Sequence, residues 1–156
     1  MALEIQSAQE ALFIACEMEK RAIRMYERML MLFGDSGREQ VLKQLLRDEQ
    51  NHLNCFTNLR GEDALSGEEA LLLSAQASGI LFPGGLTEAL RHGAVDTPQQ
   101  LIAYAAGQEE TAIQTYTDFA AKTSGEASEA FLLIAREESQ HLQNLRDMLQ
   151  NQSENP

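Results

Sequence analysis

The chain has 156 residues, 44% of them hydrophobic and 23% charged, which is the composition of one globular domain long enough to bury a core. Its 24 acidic and 12 basic residues give a net charge of −12. This balance argues against nucleic acid and anionic membranes as partners, because both require a basic surface.

The N-terminal sequence "MALEIQSAQEALFIACEMEKR" does not have the form of a targeting segment. It lacks the basic residues that precede the apolar run of a signal peptide, and no apolar stretch of the chain reaches membrane-spanning length. The two cysteines, Cys16 and Cys55, are not arranged as Cys-x-x-Cys and suit a reducing compartment. We therefore expect a cytoplasmic protein that contacts no membrane.

Two Ser-x-x-Glu sequences have the form of a capping box, which opens a helix, and a glycine stands where each of those helices would end. The residues are Ser7 with Glu10 and Gly34, and Ser36 with Glu39 and Gly61. They predict helices over about 8–33 and 37–60, joined by a link of a few residues.

The second half opens with Thr97-Pro98-Gln-Gln, which combines a cap residue, a proline at the first helical position and a glutamine at the third. It predicts a third helix over about 98–122. The turn "TSGE" then admits a fourth helix over about 125–149, and we expect "NQSENP" to be a frayed tail.

A long connection, residues 61–97, separates the second helix from the third. Ser66-x-x-Glu69 predicts a short helix there, "GILFPGG" is the clearest break, and "LTEALRH" predicts another turn or two. No segment has the period-two pattern of a strand. Two tight hairpins with one long crossover predict an all-α fold: a ferritin-like antiparallel four-helix bundle, with the crossover between helices 2 and 3 and a single domain over 1–156.

Two Glu-x-x-His pairs lie on the apolar faces of the second and fourth helices. They are Glu49 with His52 in "RDEQNHL" and Glu138 with His141 in "REESQHL". A buried carboxylate without a partner costs several kcal/mol or shifts its pKa until it is neutral. A chain that buries the same costly pair twice needs a reason for doing so.

The first and third helices add a matching motif, in "EKRAIRMY" and "EETAIQTY", where a glutamate is followed by Ala, Ile and Tyr at +3, +4 and +7 on one face. Glu19 precedes His52 by 33 residues, and Glu109 precedes His141 by 32. The chain is therefore an internal duplication, in which each half contributes one inward Glu and one inward Glu-x-x-His.

Four carboxylates and two imidazoles thus converge at one level of the predicted bundle. Two divalent cations would remove their repulsion, and this mixture of oxygen and nitrogen ligands suits iron or manganese, with zinc as a possible substitute. Each ion would receive about one histidine, one terminal glutamate and two bridging glutamates. The alternative is two satisfied core histidines with incidental glutamates. The third histidine, His92, is interpreted as a surface loop residue.

The duplicated Glu-x6-Tyr and Glu-x-x-His motifs resemble the di-iron domain of rubrerythrins, in the ferritin-like superfamily, over about residues 12–149. By motif match, the resemblance implies six metal ligands: Glu19, Glu49, His52, Glu109, Glu138 and His141. It also implies that Tyr26 and Tyr116 hydrogen-bond to carboxylates of the site. The alternative for either tyrosine is a core aromatic with some other partner.

The chain departs from that family in two respects. Rubrerythrins usually carry a C-terminal rubredoxin-like domain with four iron-binding cysteines, so we expect an external electron donor here. They also tend to have an additional glutamate about one turn along the third helix, where this chain has Thr111 and Ala112. Four other acidic residues adjoin ligands in sequence and are expected to face solvent, with one as a possible spare ligand: Glu17, Asp48, Glu110 and Glu137.

The leading functional hypothesis is a redox enzyme that reduces peroxide or O₂ at a di-iron site. The alternatives are a ferroxidase or iron-handling protein, and a structural bundle that keeps metal only as a staple. The sequence does not separate them.

Two further expectations concern surfaces beside the site. A second apolar stripe on the first helix, Met18, Met25, Met29 and Leu32, must be covered by the crossover or by another subunit, which favours a homodimer and leaves helix exchange between chains open. Cys16 and Cys55 are each three residues from a ligand, in the same direction along antiparallel helices. We expect the two thiols to face each other, either as simple packing or as a redox pair.

Overall fold

The computed structural model describes residues 4–33, 37–61, 65–81 and 97–154. Nearly all of these residues belong to five helices: α1 (Ala8–Phe33), α2 (Glu39–Arg60), α3 (Gly67–Leu81), α4 (Pro98–Lys122) and α5 (Gly125–Glu154). The described part of the chain contains no strand, so the all-helical prediction is confirmed there. None of the described helices combines the length and the apolar character that crossing a membrane would require.

The predicted helix caps are present at three helix starts. Thr97 and Gln100 form a reciprocal capping box ahead of Pro98, and both hydrogen bonds are made. The Ser66 hydroxyl accepts a hydrogen bond from the Glu69 backbone N–H at 3.2 Å. At the start of α1, Ser7 Oγ accepts from the Glu10 N–H at 3.2 Å, while the Glu10 carboxylate reaches back to the N–H of the residue before Ser7. These side chains satisfy donors that a helix start leaves unpaired.

Two helix boundaries differ from the approximate ones predicted. Helix α2 begins at Glu39, with Arg38 in the cap position, because Gly37 adopts a φ of +88° that no right-handed helix accommodates. Helix α5 continues to Glu154, so most of the segment expected to fray is helical; no glycine or proline interrupts it before Pro156.

Helix α3 is longer than expected and runs to Leu81, into the predicted break. The predictions for Gly34, Ser36, "LTEALRH" and His92 lie outside the described residues.

The four long helices form two hairpins, α1 with α2 and α4 with α5, and the hairpins pack with α1 against α4 and α2 against α5. Helix α3 packs on α1. Two apolar clusters fill the space between the long helices. The first cluster contains residues from the beginnings of α1 and α5 and from the ends of α2 and α4. The second contains residues from the later parts of α1 and α5 and from the beginnings of α2 and α4. Helices α1 and α5 therefore run in one direction, and α2 and α4 run in the other.

The second apolar stripe of α1 is mostly covered within the chain. Met18 belongs to the cluster that contains Leu73 of α3, whereas Met25 and Met29 belong to the other cluster. Only Leu32 remains 46% exposed. Helix α3, which lies in the predicted crossover, therefore covers part of this apolar stripe.

Candidate metal centre

A layer of polar side chains separates the two apolar clusters. It consists of the six residues that the sequence predicts as ligands, each no more than 3% exposed: Glu19, Glu49, His52, Glu109, Glu138 and His141. They are the buried charged or polar residues of the described part of the chain. Four helices supply them, one residue each from α1 and α4 and two each from α2 and α5.

Helical spacing explains how two residues of one helix reach the same point. Residues three apart lie on one face of an α-helix, so Glu49 and His52 project together, as do Glu138 and His141. The neighbouring buried positions on α2, such as Leu45 and Phe56, are apolar and anchor that face in the two clusters. Helix packing therefore fixes the position of the polar layer.

The six side chains form two overlapping groups of potential ligand atoms, each within 4.8 Å of one another. One group contains Glu19 and His52, the other contains Glu109 and His141, and both include Glu49 and Glu138. This is the arrangement expected of two metal ions that share two carboxylates. Each ion would then have a terminal glutamate and a histidine from one half of the duplication.

The side-chain atoms themselves fit such a centre. One buried oxygen or nitrogen of every member has no hydrogen-bond partner: Glu19 Oε2, Glu49 Oε1, His52 Nδ1, Glu109 Oε2, Glu138 Oε1 and His141 Nδ1. Six unsatisfied polar atoms in one layer are costly in a protein interior unless something else binds them. Carboxylate oxygens with imidazole nitrogens are a donor set that suits iron or manganese.

Two buried carboxylates of the layer have raised pKa values when no cation balances the charge around them. Burial, reinforced by the charge of Glu49, raises the pKa of Glu19 well above its usual value. Burial and the charges of Glu49 and Glu109 act in the same direction on the pKa of Glu138. Protons must then neutralise carboxylates that a divalent cation would otherwise balance.

The histidines respond in the opposite sense. Burial disfavours the imidazolium of His52, but the adjacent Glu19 and Glu49 outweigh it and raise the pKa of His52 to about 11. For His141 the same competition, with Glu109 and Glu49, gives a pKa of about 10. Burial likewise disfavours ionised Glu49, yet both imidazoles together hold its pKa far below its usual value.

The two tyrosines reach across from one half to the other. Tyr26 donates a hydrogen bond to Glu109 Oε1 at 2.5 Å, and Tyr116 donates one to Glu19 Oε1 at 2.8 Å. Both tyrosines are fully buried. Tyr116 also belongs to an aromatic group with Phe56 and Phe131, at ring-centroid distances of 5.2 and 5.9 Å. Glu19 and Glu109 are therefore each hydrogen-bonded by a tyrosine from the other half of the chain, and these are the two tyrosines that the resemblance indicated.

Two acidic residues expected to face solvent are partly exposed and also contact the histidines of the site. Asp48 Oδ2 lies 3.0 Å from His141 Nε2, and Glu137 Oε2 lies 2.6 Å from His52 Nε2. The signal that sequence reasoning missed is their equivalence: each immediately precedes a shared glutamate in its half.

The other two flanking acids pair with basic residues at the surface, as an exposed position predicts. Glu17 contacts Lys20 at 3.5 Å, and Glu110 contacts Arg146 at 2.9 Å. At the position of the additional glutamate of rubrerythrins, Ala112 is buried in the apolar cluster next to the polar layer. It offers no further ligand.

The two thiols do not face each other as expected. Cys16 Sγ lies 3.8 Å from Thr57 Oγ1, whereas the electrostatic neighbours of Cys55 are His52 and Glu137. Residues two apart on a helix point about 200° apart, so Cys55 is turned away from the side of α2 that Cys16 contacts. Both cysteines are free, and burial raises the pKa of each.

Comparison with known proteins agrees with this geometry. The family model for rubrerythrin matches residues 100–156. The matched segment contains Glu109, Tyr116, Glu138 and His141, which form the second half of the site. The resemblance to a rubrerythrin-type di-iron domain is confirmed over that segment. No curated protein and no solved structure matches the chain.

Proposed function

We propose that this chain, whose residues 100–156 match the family model for rubrerythrin, is a di-iron carboxylate redox protein that reduces peroxide or O₂ at the buried centre. The observation that carries the proposal is the pair of overlapping ligand groups that share Glu49 and Glu138. A lone buried histidine would need only one partner, whereas this set offers two complete and nearly equivalent cation sites.

In the proposed centre, Glu19 and His52 would hold one ion and Glu109 and His141 the other, while Glu49 and Glu138, which belong to both groups, would be shared. Iron is the expected metal, manganese is the other candidate, and zinc would substitute without redox activity. Two bound Fe(II) ions would supply one electron each, which together with two protons reduces one hydrogen peroxide to two waters.

The residues around the centre have separate tasks in this proposal. The apolar clusters above and below the layer limit access of water. Tyr26 and Tyr116 orient the terminal carboxylates, and their pKa values are raised by burial and by those carboxylates, so they remain protonated donors. Because Ala112 provides no extra carboxylate, a bound ion would find no further protein ligand at that position.

The proposed fold is the ferritin-like four-helix bundle with one crossover. Its support is the pairing of the hairpins and the helix directions given by the two clusters. Since α2 ends where one cluster lies and α4 begins at the other, residues 61–97 have to connect opposite ends of the bundle, as a ferritin-like crossover does.

The deciding experiment is anaerobic loading with Fe(II), followed by separate pulses of peroxide and O₂, with absorption recorded after each pulse. A peroxide-reducing enzyme oxidises both irons rapidly, keeps them bound, and can be reduced and pulsed again. An iron-handling protein releases oxidised iron from the site and accepts fresh Fe(II). A bundle stapled by metal reacts with neither oxidant. The variant Glu49→Ala controls for iron bound elsewhere, because it removes a bridge.

We further propose a cytoplasmic homodimer that takes electrons from an external donor. The two cysteines of the chain are both free, and neither belongs to the buried layer, so the proposed donor is a separate molecule. The dimer is favoured by exposed leucines on α3 and α5: Leu71 and Leu72, Leu132 and Leu133. Light scattering at tens of micromolar tests the dimer, and a strictly monomeric mass would refute it.

A further inference from the structure

The histidines of the proposed centre each have a second, outer contact that the metal does not use. His52 Nε2 meets Glu137 at 2.6 Å, and His141 Nε2 meets Asp48 at 3.0 Å. The imidazoles are 3% exposed, whereas the Glu137 and Asp48 side chains are 52% and 32% exposed. Each ring therefore lies between the buried carboxylate layer and a carboxylate at the surface.

The outer contact determines which ring nitrogen is available to a cation. A neutral imidazole carries one N–H, and only the other nitrogen can bind metal. A carboxylate at Nε2 accepts a hydrogen bond, so it places the proton there and leaves Nδ1 free. The Nδ1 atoms face the carboxylate layer, 2.6 Å from Glu138 and 2.9 Å from Glu49, but at angles that make no hydrogen bond.

Helix geometry explains why a residue next to a ligand can do this. Neighbours in an α-helix point about 100° apart, so Asp48 cannot project into the layer beside Glu49. It projects instead toward α5, which packs against α2 and carries His141. Glu137 of α5 makes the equivalent contact with His52 of α2. Each of these two helices thus supports the histidine of the other.

The other two flanking acids show that proximity in sequence is not sufficient. Glu110 adjoins Glu109 but contacts Arg146 at the surface. Glu17 is two residues from Glu19 but contacts Lys20. Only the acids on the helices that carry histidines reach an imidazole, and they occupy equivalent positions in the duplication.

We propose that Asp48 and Glu137 are positioning residues, one for each ion, that fix the tautomer and ring orientation of the metal-binding histidine on the opposite helix. This inference rests on the di-metal centre proposed above. Asp48 serves the ion held by Glu109 and His141, and Glu137 serves the ion held by Glu19 and His52. Carboxylates in this outer position typically change metal affinity about 10- to 100-fold.

The test is titration with Co²⁺ alone, followed by its absorption, in the wild-type protein and in five variants. Asp48→Ala and Glu137→Ala remove the outer contact, while Asp48→Asn and Glu137→Gln keep an oxygen that accepts the same N–H. Glu110→Ala is the matched control, since it removes a flanking acid that touches no histidine. Because the mutated side chains are partly exposed, all five variants are expected to fold, and circular dichroism checks this.

We expect the wild type to bind two Co²⁺ ions. Each alanine variant should bind one of the two about 10- to 100-fold more weakly, with the amide variants retaining most of the affinity and Glu110→Ala unchanged. Proton NMR of the Co²⁺ protein supplies a readout that simple packing would not move. Two exchangeable, paramagnetically shifted Nε2–H signals are expected in the wild type, and each alanine variant should lose one.

The outcomes separate this inference from the proposal beneath it. A wild type that binds no Co²⁺ overturns the metal centre and this inference with it. If the wild type binds two ions and both alanine variants bind them equally well, the metal centre stands and the positioning role is wrong. If the amide variants lose as much affinity as the alanine variants, the role of the hydrogen bond is also wrong.

Discussion

Tyr116 and Glu19 are 97 positions apart in the chain and share a fully buried hydrogen bond of 2.8 Å. The reverse pair, Tyr26 with Glu109, makes the equivalent contact. Each half of the duplication therefore supplies the hydroxyl that holds the terminal carboxylate of the other half. The two halves are joined at the site by matched polar contacts as well as by their apolar faces.

Replacing Tyr116 with Phe removes the donor and leaves Glu19 Oε1 buried without it. A buried acceptor left without its donor costs about 1–3 kcal/mol, so the free energy of unfolding should fall by that amount. Urea unfolding in the presence of a chelator measures it without interference from metal. Tyr104→Phe is the control, because Tyr104 is half-buried away from the site, and its change should stay within about 0.5 kcal/mol. Equal effects of the two substitutions would contradict the assignment.

Glu49→Ala should abolish binding of both ions, because Glu49 belongs to both ligand groups. Glu17→Ala should leave metal content unchanged, since Glu17 pairs with Lys20 at the surface and belongs to neither ligand group. Elemental analysis after Fe(II) loading and desalting gives the metal content of each protein. About two ions per chain are expected in the wild type. Retention of both ions by Glu49→Ala would show that this residue does not bridge.

The metal-free protein should lose stability as the pH rises above neutrality. A histidine with a raised pKa contributes stability that is complete below its unfolded value of 6.5 and is lost as the pH approaches the folded value, about 11 for His52 and about 10 for His141. The raised pKa values of Glu19 and Glu138 also make the folded state lose stability as the pH rises. For these carboxyl groups the loss begins above pH 4.5. Thermal unfolding with chelator should therefore give a lower Tm at pH 9 than at pH 6.

A double variant, His52→Gln with His141→Gln, provides the control for this pH dependence. It lacks both imidazoles, so the decrease in Tm between pH 6 and pH 9 should shrink. Saturating metal should also reduce the decrease in the wild type, because the cations replace the protons. A metal-free wild type that is more stable at pH 9 than at pH 6 would contradict the expected sign.

Both thiols should survive oxidation of the centre. Cys16 contacts Thr57, whereas Cys55, two residues earlier on α2, projects about 200° away from Thr57, so we expect no disulfide between them. Thiol counting before and after one equivalent of peroxide on the reduced, iron-loaded protein should find two thiols per chain each time. Loss of two thiols would mean that the cysteines supply electrons after all.

The helices and the six buried side chains of the polar layer could be predicted from the sequence because they depend on local rules. Capping residues such as Thr97 mark helix starts, and a spacing of three on an apolar face brings Glu49 and His52 together whatever the neighbouring helix does. The end of α5 was predicted less well, because helix propensity without a stop signal does not say where a helix frays.

The outer contacts could not be predicted in the same way. The position of Asp48 depends on which helix lies beside α2 and on how closely the two helices approach, and those are tertiary quantities. The same limit applies to the cysteines: their spacing from the predicted ligands does not say in which direction around its helix each side chain points, and Cys16 contacts Thr57. Spacing along one helix fixes a level and a face, but a contact between helices also requires the rotation of the partner.

The crossed contacts have a consequence for how such a chain could have arisen. A single hairpin of this type carries a tyrosine, two glutamates, a histidine and an outer acid, which is half of everything the centre contains. Its tyrosine and its outer acid, however, contact a glutamate and a histidine that belong to the other hairpin. Its own two glutamates and histidine form only half of the polar layer. An ancestral hairpin would therefore have had to dimerise before it could bind metal at such a layer. After fusion into one chain, a change on either side of a Tyr–Glu or acid–His pair has to be tolerated by a residue encoded in the other half.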